Sequence, residues 1–233
     1  MKRCKTHLVC VCLLFVVAVP VFAQRASLDV QAGETTDKFG ALPSVTGADF
    51  LIDGQVTVLQ PSKKNGGPNI VAGGEIRVPT DTGNHSNEFA IFGGPEFQYK
   101  NFTFGVHAQV RKIYQPSSIV DNQFFVRDKM ELLEIPIVVK YVFGPDKHYF
   151  FEAQGIPEFR PRFLANGQLN TLPKPNLDHG YFVRASAGYN FGKWYAKATY
   201  ETRYFKFVPD LGNPNGLYNW KSNYLTGGVG LVF

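Results

Sequence analysis

The chain has 233 residues, with 24 Lys plus Arg against 19 Asp plus Glu, 44% hydrophobic residues and 15% aromatic residues. Only 18% of residues are charged, while Gly (23), Pro (15) and Phe (21) are plentiful. This balance excludes a disordered chain and a helical bundle, which would be richer in Ala, Leu, Glu and Lys, and it favours an all-β protein with ample material for a core.

Residues 1–23 read as a cleaved secretory signal and 24–233 as one barrel domain. Lys2, Arg3 and Lys5 form a basic start, Leu8 to Val19 an apolar stretch, and Val21-Phe22-Ala23 a small-residue cleavage site before Gln24. The apolar run, about 12 residues long and stopped by Pro20, is short for a helical span of about 20. Cys4, Cys10 and Cys12 all lie in this segment. The mature chain is therefore expected to hold no disulfide, no thiol nucleophile and no Cys metal site. Loss of the three basic residues lowers the net charge from +5 to +2. No basic block survives, which argues against a nucleic-acid partner.

From there the chain alternates with period two and shows no sustained helical period. Candidate strands fall at 26–32 (weakly), 48–60, 68–78, 88–99, 101–114, 131–143, 148–156, 180–190, 194–206 and 222–233. In 101–114, Phe102, Phe104, Val106, Ala108 and Val110 oppose Thr103, Gly105, His107, Gln109 and Arg111. In 194–206, Trp194, Ala196, Ala198 and Tyr200 oppose Lys197, Thr199, Glu201 and Arg203. Short turns at 61–67, 100–101, 144–147 and 191–193 alternate with longer polar stretches near 33–47, 79–87, 115–130, 157–179 and 207–221. Short turns at one end and long loops at the other predict a transmembrane antiparallel up-and-down β-barrel of ten strands, with eight as the alternative count. Pro95 and Pro136 fall inside strands, where they are expected to mark bulges.

Aromatic residues crowd the short turns: Phe97, Tyr99, Phe102, Phe104, Tyr141, Phe143, Tyr149, Phe151, Tyr189 and Trp194. Rings gathered at one level of a barrel form an interfacial girdle, whereas core aromatics scatter along strands. The chain closes on Thr226-Gly227-Gly228-Val229-Gly230-Leu231-Val232-Phe233. The spacing of Thr226, Gly228, Leu231 and Phe233 resembles the C-terminal assembly signal of bacterial outer-membrane proteins, which implies an outer-membrane assembly machine as a partner.

Leu132-Leu133-Glu134-Ile135-Pro136-Ile137-Val138-Val139-Lys140-Tyr141, followed by Tyr149-Phe150-Phe151-Glu152-Ala153, resembles the hairpin of the PorT-like, OmpA-like outer-membrane β-barrel family. The run Ala185 to Trp194 and the final strand are similar to that family's last hairpin and strand. The specific part covers about 60 residues, and the chain departs from the commoner eight-strand form by an extra hairpin within 26–114. The resemblance implies a fold and a bacterial outer membrane with its lipid and lipopolysaccharide. It carries no catalytic residue and no cofactor.

With the apolar face toward lipid, the lumen would receive Glu75, Arg77, His107, Arg111, Glu134, Lys140, Glu152, Arg184, Lys197, Glu201 and Arg203, a nearly balanced set expected to pair and close the bore. A narrow conduit for small solutes is the alternative. A secreted soluble barrel, with its apolar stripe lining a ligand cavity, is a second. No catalytic or metal constellation stands out. Asp146-Lys147-His148 lies at a short turn, Asp178-His179 lacks an aspartate pair, and His85-Ser86 has the wrong spacing for a barrel hydrolase. The longest loop, 157–179, carries Arg160, Arg162 and Lys174 as candidate contacts for an anionic surface partner.

Overall fold

Alternating sequence becomes alternating exposure along a series of β-segments: β1 (Arg25–Phe39), β2 (Val45–Leu59), β3 (Asn69–Pro79), β4 (Asn87–Tyr99), β5 (Phe102–Val106), β6 (Ala108–Tyr114), β7 (Lys129–Glu134), β8 (Ile137–Phe143), β9 (Tyr149–Phe159), β10 (Arg162–Phe163), β11 (Leu177–Asn190), β12 (Trp194–Phe207) and β13 (Asn219–Val232). The computed structural model describes residues 25–233 apart from 41, 62–66, 115–128, 160–161, 164–176 and 208–218. For 129–130, 157–159, 162–163, 177 and 207 it describes the backbone alone. The expected signal segment therefore lies outside the described residues.

Every neighbouring pair is antiparallel, and the sheet closes on itself through β1 with β13 and through β4 with β5 and β6. β5 and β6 are two parts of one barrel strand, as are β7 with β8 and β9 with β10. The architecture is thus an all-β closed antiparallel barrel of ten strands. The turns at 100–101, 144–148 and 191–193, with the strand ends at Leu59 and Asn69, lie at the short-turn end, where Arg25 and Phe233 sit. The connection 80–86 and the strand ends at Phe39 and Val45, Tyr114 and Lys129, Phe163 and Leu177, and Phe207 and Asn219 lie at the other, the loop end.

The first hairpin differs from expectation. β1 runs through Phe39 and β2 begins at Val45, so the polar stretch 33–47 is mostly strand. The reason lies in a reversal of the alternation along the barrel. Toward the short-turn end, outward positions are apolar and inward ones polar. Leu28, Val30 and Ala32 alternate with the inward Asp29 and Gln31. Toward the loop end the sense inverts, with Glu34, Thr36 and Lys38 outward and Phe39 buried. β12 and β13 do the same. Tyr200, Leu225 and Val229 are exposed and outward, whereas Thr202, Lys206, Lys221 and Asn223 face outward beyond them and Phe205 and Trp220 are buried inside. A wall that turns from apolar-out to polar-out part-way along has one segment suited to lipid and one suited to water.

The apolar belt ends in the aromatic girdle. Phe102 stacks on Tyr141 at 4.4 Å, Tyr141 on Phe143 at 5.7 Å and Phe143 on Tyr149 at 5.6 Å. Tyr149 meets Tyr189 edge-on at 5.0 Å, and Tyr189 meets Phe191 at 4.7 Å.

The prolines do not make bulges. The register pairing Gly93 with Ala108 and Glu96 with Gly105 is unbroken across Pro95 and sets it opposite Val106. The register pairing Gly105 with Val138 and Gln109 with Glu134 sets Pro136 opposite His107. Both prolines therefore flank one point of one strand, the gap between β5 and β6. Each lacks a donor, so rungs are missing while the count of residues is kept. The His107 amide still donates to the Pro136 carbonyl at 3.0 Å. Register shifts occur elsewhere, between Thr57 and Leu59, Gly180 and Phe182, and Leu177 and His179.

Candidate functional site in the barrel lumen

Four guanidinium groups meet at mid-barrel: Arg77 from β3, Arg111 from β6, Arg184 from β11 and Arg203 from β12. All are buried. Alternation alone points them inward, since each has outward apolar or hydroxyl-bearing neighbours on its own strand. Glu75 takes Arg111 Nη1 at 3.1 Å on Oε1 and Arg184 Nη2 at 2.6 Å on Oε2. Glu201 takes Arg77 Nη2 at 2.9 Å, Arg184 Nε at 2.7 Å and Arg203 Nη2 at 2.5 Å. Glu88 accepts from Arg111 Nη1 at 2.9 Å, from Arg203, and from the Tyr224 hydroxyl at 3.0 Å. Glu134 accepts from Arg111 Nε at 3.1 Å and Gln109 Nε2 at 2.6 Å. Asp49 accepts from Arg77 Nη1 at 3.2 Å.

Aromatic faces complete the cluster. The Arg77 guanidinium lies 3.6 Å from the Tyr224 ring centre. Arg111, Arg184 and Arg203 surround Phe182 at 5.5, 5.4 and 5.3 Å. Desolvated cations on ring faces gain more than exposed ones do, which helps to offset the cost of burying four charges.

Around the barrel, β3 stands five strands from β11, and β4 five from β12, which is diametric opposition in a ring of ten. Glu75–Arg184 and Glu88–Arg203 therefore cross the whole bore.

Toward the loop end an aromatic layer lies over this cluster. Phe39 stacks on Trp220 at 5.3 Å, Phe205 meets Trp220 at 5.2 Å, and Ile113 is buried beside them, while the buried Leu51 and Leu132 stand level with the cluster as the cross-strand partners of Arg77 and Arg111. The 80–86 connection drops His85 into the mouth, where its Nδ1 lies 2.7 Å from Asp37 Oδ2. Asp37 also accepts from Trp220 Nε1 at 3.0 Å and from the Ser222 hydroxyl. The hydrogen bond to Asp37 raises the His85 pKa above its ordinary value, against the opposing effect of burial. His85 Nε2 is aimed at Gly47, where a Cβ would lie 2.5 Å away.

Toward the short-turn end the lumen holds a second set of pairs. Lys197 pairs with Asp29, which also accepts from Gln31 Nε2 at 2.9 Å and the Tyr195 hydroxyl at 3.2 Å. Lys140 lies 3.8 Å from Glu152, and their side chains are 40% and 28% exposed. His107 Nε2 lies 3.2 Å from Glu96, which also accepts from Gln55 Nε2 at 3.2 Å.

Each of the lumen residues inferred from alternation thus points inward, but they form two groups. Glu75, Arg77, Arg111, Glu134, Arg184, Glu201 and Arg203 interlock at mid-barrel, while Lys140, Glu152 and Lys197 line the part toward the short-turn end, the first two partly exposed and Lys197 nearly buried. Sequence reasoning missed Asp29, Asp49, Asp53, Glu88 and Glu96. Their inward parity was readable from Val30, Phe50, Ile52, Phe89 and Phe97 beside them. With them included, acids outnumber Lys and Arg in the lumen, which corrects the expected near-balance.

The remaining candidates scatter. Asp178 and His179 pair at 2.9 Å, about 40% exposed, at the loop end. His148 Nδ1 donates to the Asn190 carbonyl at 2.8 Å at the short-turn end. Arg160 and Lys174 lie outside the described residues. Arg162 belongs to β10, where its backbone pairs with Leu133. Phe233 exchanges backbone bonds with Ala26 at 2.8 and 3.4 Å, placing the terminal ring outward at the barrel's closing seam. Among the described residues no group of three or more His, Cys, Asp or Glu is arranged to hold a metal ion.

No family model matches the chain, and no curated protein matches it. Among solved structures, it is similar to the outer membrane protease OmpT from Escherichia coli, at 11% identity and a TM-score of 0.48, covering 91% of this chain and 97% of that one. It is similar to Neisserial surface protein A at 11% identity and a TM-score of 0.39, covering 88% and 96%. It is also similar to Ail, the attachment invasion locus protein of Yersinia pestis, at 7% identity and a TM-score of 0.29, covering 90% and 98%. Likeness of this degree transfers no residue role.

Proposed function

We propose that this chain is a bacterial outer-membrane β-barrel that acts without catalysis, serving envelope structure or surface interaction through its loop end. Its signal segment is removed on export, and Thr226, Gly228, Leu231 and Phe233 are read by the assembly machinery. The wall supports the membrane reading. On β13 the outward apolar residues run from Leu225 to Phe233, which at about 3.4 Å per residue and a tilt near 40° gives a belt of roughly 20 Å, a little short of the apolar band of about 25 Å on outer-membrane barrels. The likeness of Leu132–Tyr141 to PorT-like barrels agrees with this reading.

The single observation that carries the non-conducting role is the pair of diametric bridges Glu75–Arg184 and Glu88–Arg203. Side chains that meet from opposite walls stand across the axial path, which supports a bore closed to solutes. The non-catalytic reading is supported by the histidines: His85 is wedged against Gly47, His107 is buried against Glu96, His148 is bonded to a backbone carbonyl, and His179 lies apart from the lumen cluster. The soluble, ligand-filled alternative needs an apolar cavity, whereas Phe104, Val110 and Val139 face out and the bore is charged. The exposed Lys140–Glu152 pair favours a second reading, a narrow solute channel entered from the short-turn end.

The test is separation of inner and outer membranes, a detergent gel with and without boiling, and planar-bilayer recording of the purified protein. An outer-membrane band that shifts on boiling, with no reproducible conductance step, is the expected result. A regular step would install the channel reading, and a soluble unshifted band would remove the membrane.

A further inference from the structure

Lys38 of β1 and Lys221 of β13 are direct cross-strand partners, and both are exposed on the outer wall. Residues so opposed have Cβ atoms about 5 Å apart, and like charges there repel. Elsewhere at the loop end the wall pairs opposite signs. Lys112 faces Glu131 across β6 and β7 with Nζ 3.3 Å from the carboxylate. Neither Lys38 nor Lys221 has an acidic partner among the described residues. The nearest carboxylate on β1 along this face, Glu34, is two outward positions closer to the belt, roughly 13 Å away along the strand.

Other groups extend the patch. Lys206 lies one outward position further along β12, opposite Asn219, held only loosely by Asp178 at 3.9 Å. Tyr204 is the partner of Lys221 on its other side and stacks on Tyr181 at 5.5 Å. Lys221 is four residues beyond Leu225, the last exposed apolar side chain of β13. That places the ammonium groups about 10 Å above the belt edge, at headgroup level.

We propose that Lys38 and Lys221, with Lys206 and Tyr204 beside them, bind a phosphate group of a phosphorylated outer-leaflet glycolipid, lipopolysaccharide, against the outer wall. A bridging phosphate converts the repulsive pair into two attractive ones. The acyl chains then lie on the belt formed by Leu225, Val229 and Val30, and Tyr204 offers a hydroxyl at sugar height. The site rests on the reading of this chain as an outer-membrane barrel, and it differs from the Arg160, Arg162 and Lys174 loop.

The experiment measures the temperature at which purified protein in zwitterionic micelles loses its unboiled gel mobility, titrated with lipopolysaccharide, dephosphorylated lipopolysaccharide or phosphatidylglycerol. Lipopolysaccharide is expected to raise that temperature. Lys38→Gln with Lys221→Gln should weaken the apparent affinity by on the order of tenfold, Lys221→Arg should retain it, and Lys112→Gln should leave it unchanged. Equal titrations for wild type and the double variant overturn the site, as does the absence of any shift for wild type. A full shift with the dephosphorylated form overturns the phosphate, and a full shift with phosphatidylglycerol overturns the glycolipid. Mobility without added lipid separately tests the barrel reading and shows whether each variant folds.

Discussion

Arg184 Nη2 lies 2.6 Å from Glu75 Oε2 although the two residues stand on opposite walls of the barrel, five strands apart. Glu75 is at once held by Arg111 from its own side, and Arg184 by Glu201 from the next strand. The contact is a cross-brace tied into both walls. It decides what fills the bore and how the bore responds to substitution.

Glu75→Gln leaves Arg111 and Arg184 each short of a charged partner in a buried site. A fully stranded buried charge costs about 3–5 kcal/mol because it stays desolvated, and here the cost falls toward the low end because Arg111 keeps Glu88 and Glu134 and Arg184 keeps Glu201. The expected outcome is a marked fall in the temperature at which unboiled protein loses its compact gel mobility. Replacing both partners, as Glu75→Met with Arg184→Met, should cost less than Glu75→Gln alone. A double variant weaker than the single one would mean that the pair contributes net stability.

The same brace predicts conductance. Wild type should give no reproducible step in a planar bilayer, while Glu75→Ala with Arg184→Ala, which removes both arms and leaves no lone partner between them, should give small, regular steps. Conductance indistinguishable between the two proteins would show that the cover of Phe39, Trp220 and Phe205, not the brace, closes the bore.

On the proposed membrane reading, the strands were legible in the sequence where lipid sharpens the contrast between faces. Phe102, Phe104, Val106 and Val110 against Thr103, His107 and Arg111 then leave one assignment, because hydrocarbon accepts only one of those faces. Legibility failed at the loop end for the same physical reason. Beyond the belt the solvent is water on the outside, so Lys38 turns outward and Phe39 inward, and the alternation continues with its sense reversed. Read for one sense throughout, Glu34 to Phe39 looks like a polar loop. The lumen roles were legible as parity but not as pairing. Alternation says that Glu75 and Arg184 face in, and only the closure and stagger of the barrel bring opposite walls to the same level. Asp37–His85 was invisible altogether, since it joins a strand to a residue of a connection.

Gly47 is required by its neighbour. Its backbone sits under the His85 imidazole with a prospective Cβ 2.5 Å from Nε2. Gly47→Val should lift the 80–86 connection out of the mouth, while the strands below persist. Limited proteolysis is expected to cut within 80–86 several times faster than in wild type, with unboiled gel mobility retained. Equal cleavage rates would mean that the ring can turn aside within the mouth.

His85 makes that mouth sensitive to pH. The hydrogen bond to Asp37 raises its pKa above 6.5, the ordinary imidazole value, and the charges of Asp37, Asp81 and Asp49 act in the same direction. A histidine with a raised folded-state pKa binds its proton more tightly folded than unfolded. Its stabilisation is complete below about 6.5 and is lost as pH rises through the raised value. The 80–86 connection should therefore be best protected in mild acid and should loosen across the range that starts near 6.5 and extends upward. Amide exchange of Gly83 and Asn84, followed from pH 5 to 9 after correction for intrinsic base catalysis, reads this directly. His85→Gln should abolish the pH step and hold the exchange near the high-pH level of wild type. A step of the same size in the variant would assign the titration to a group other than His85.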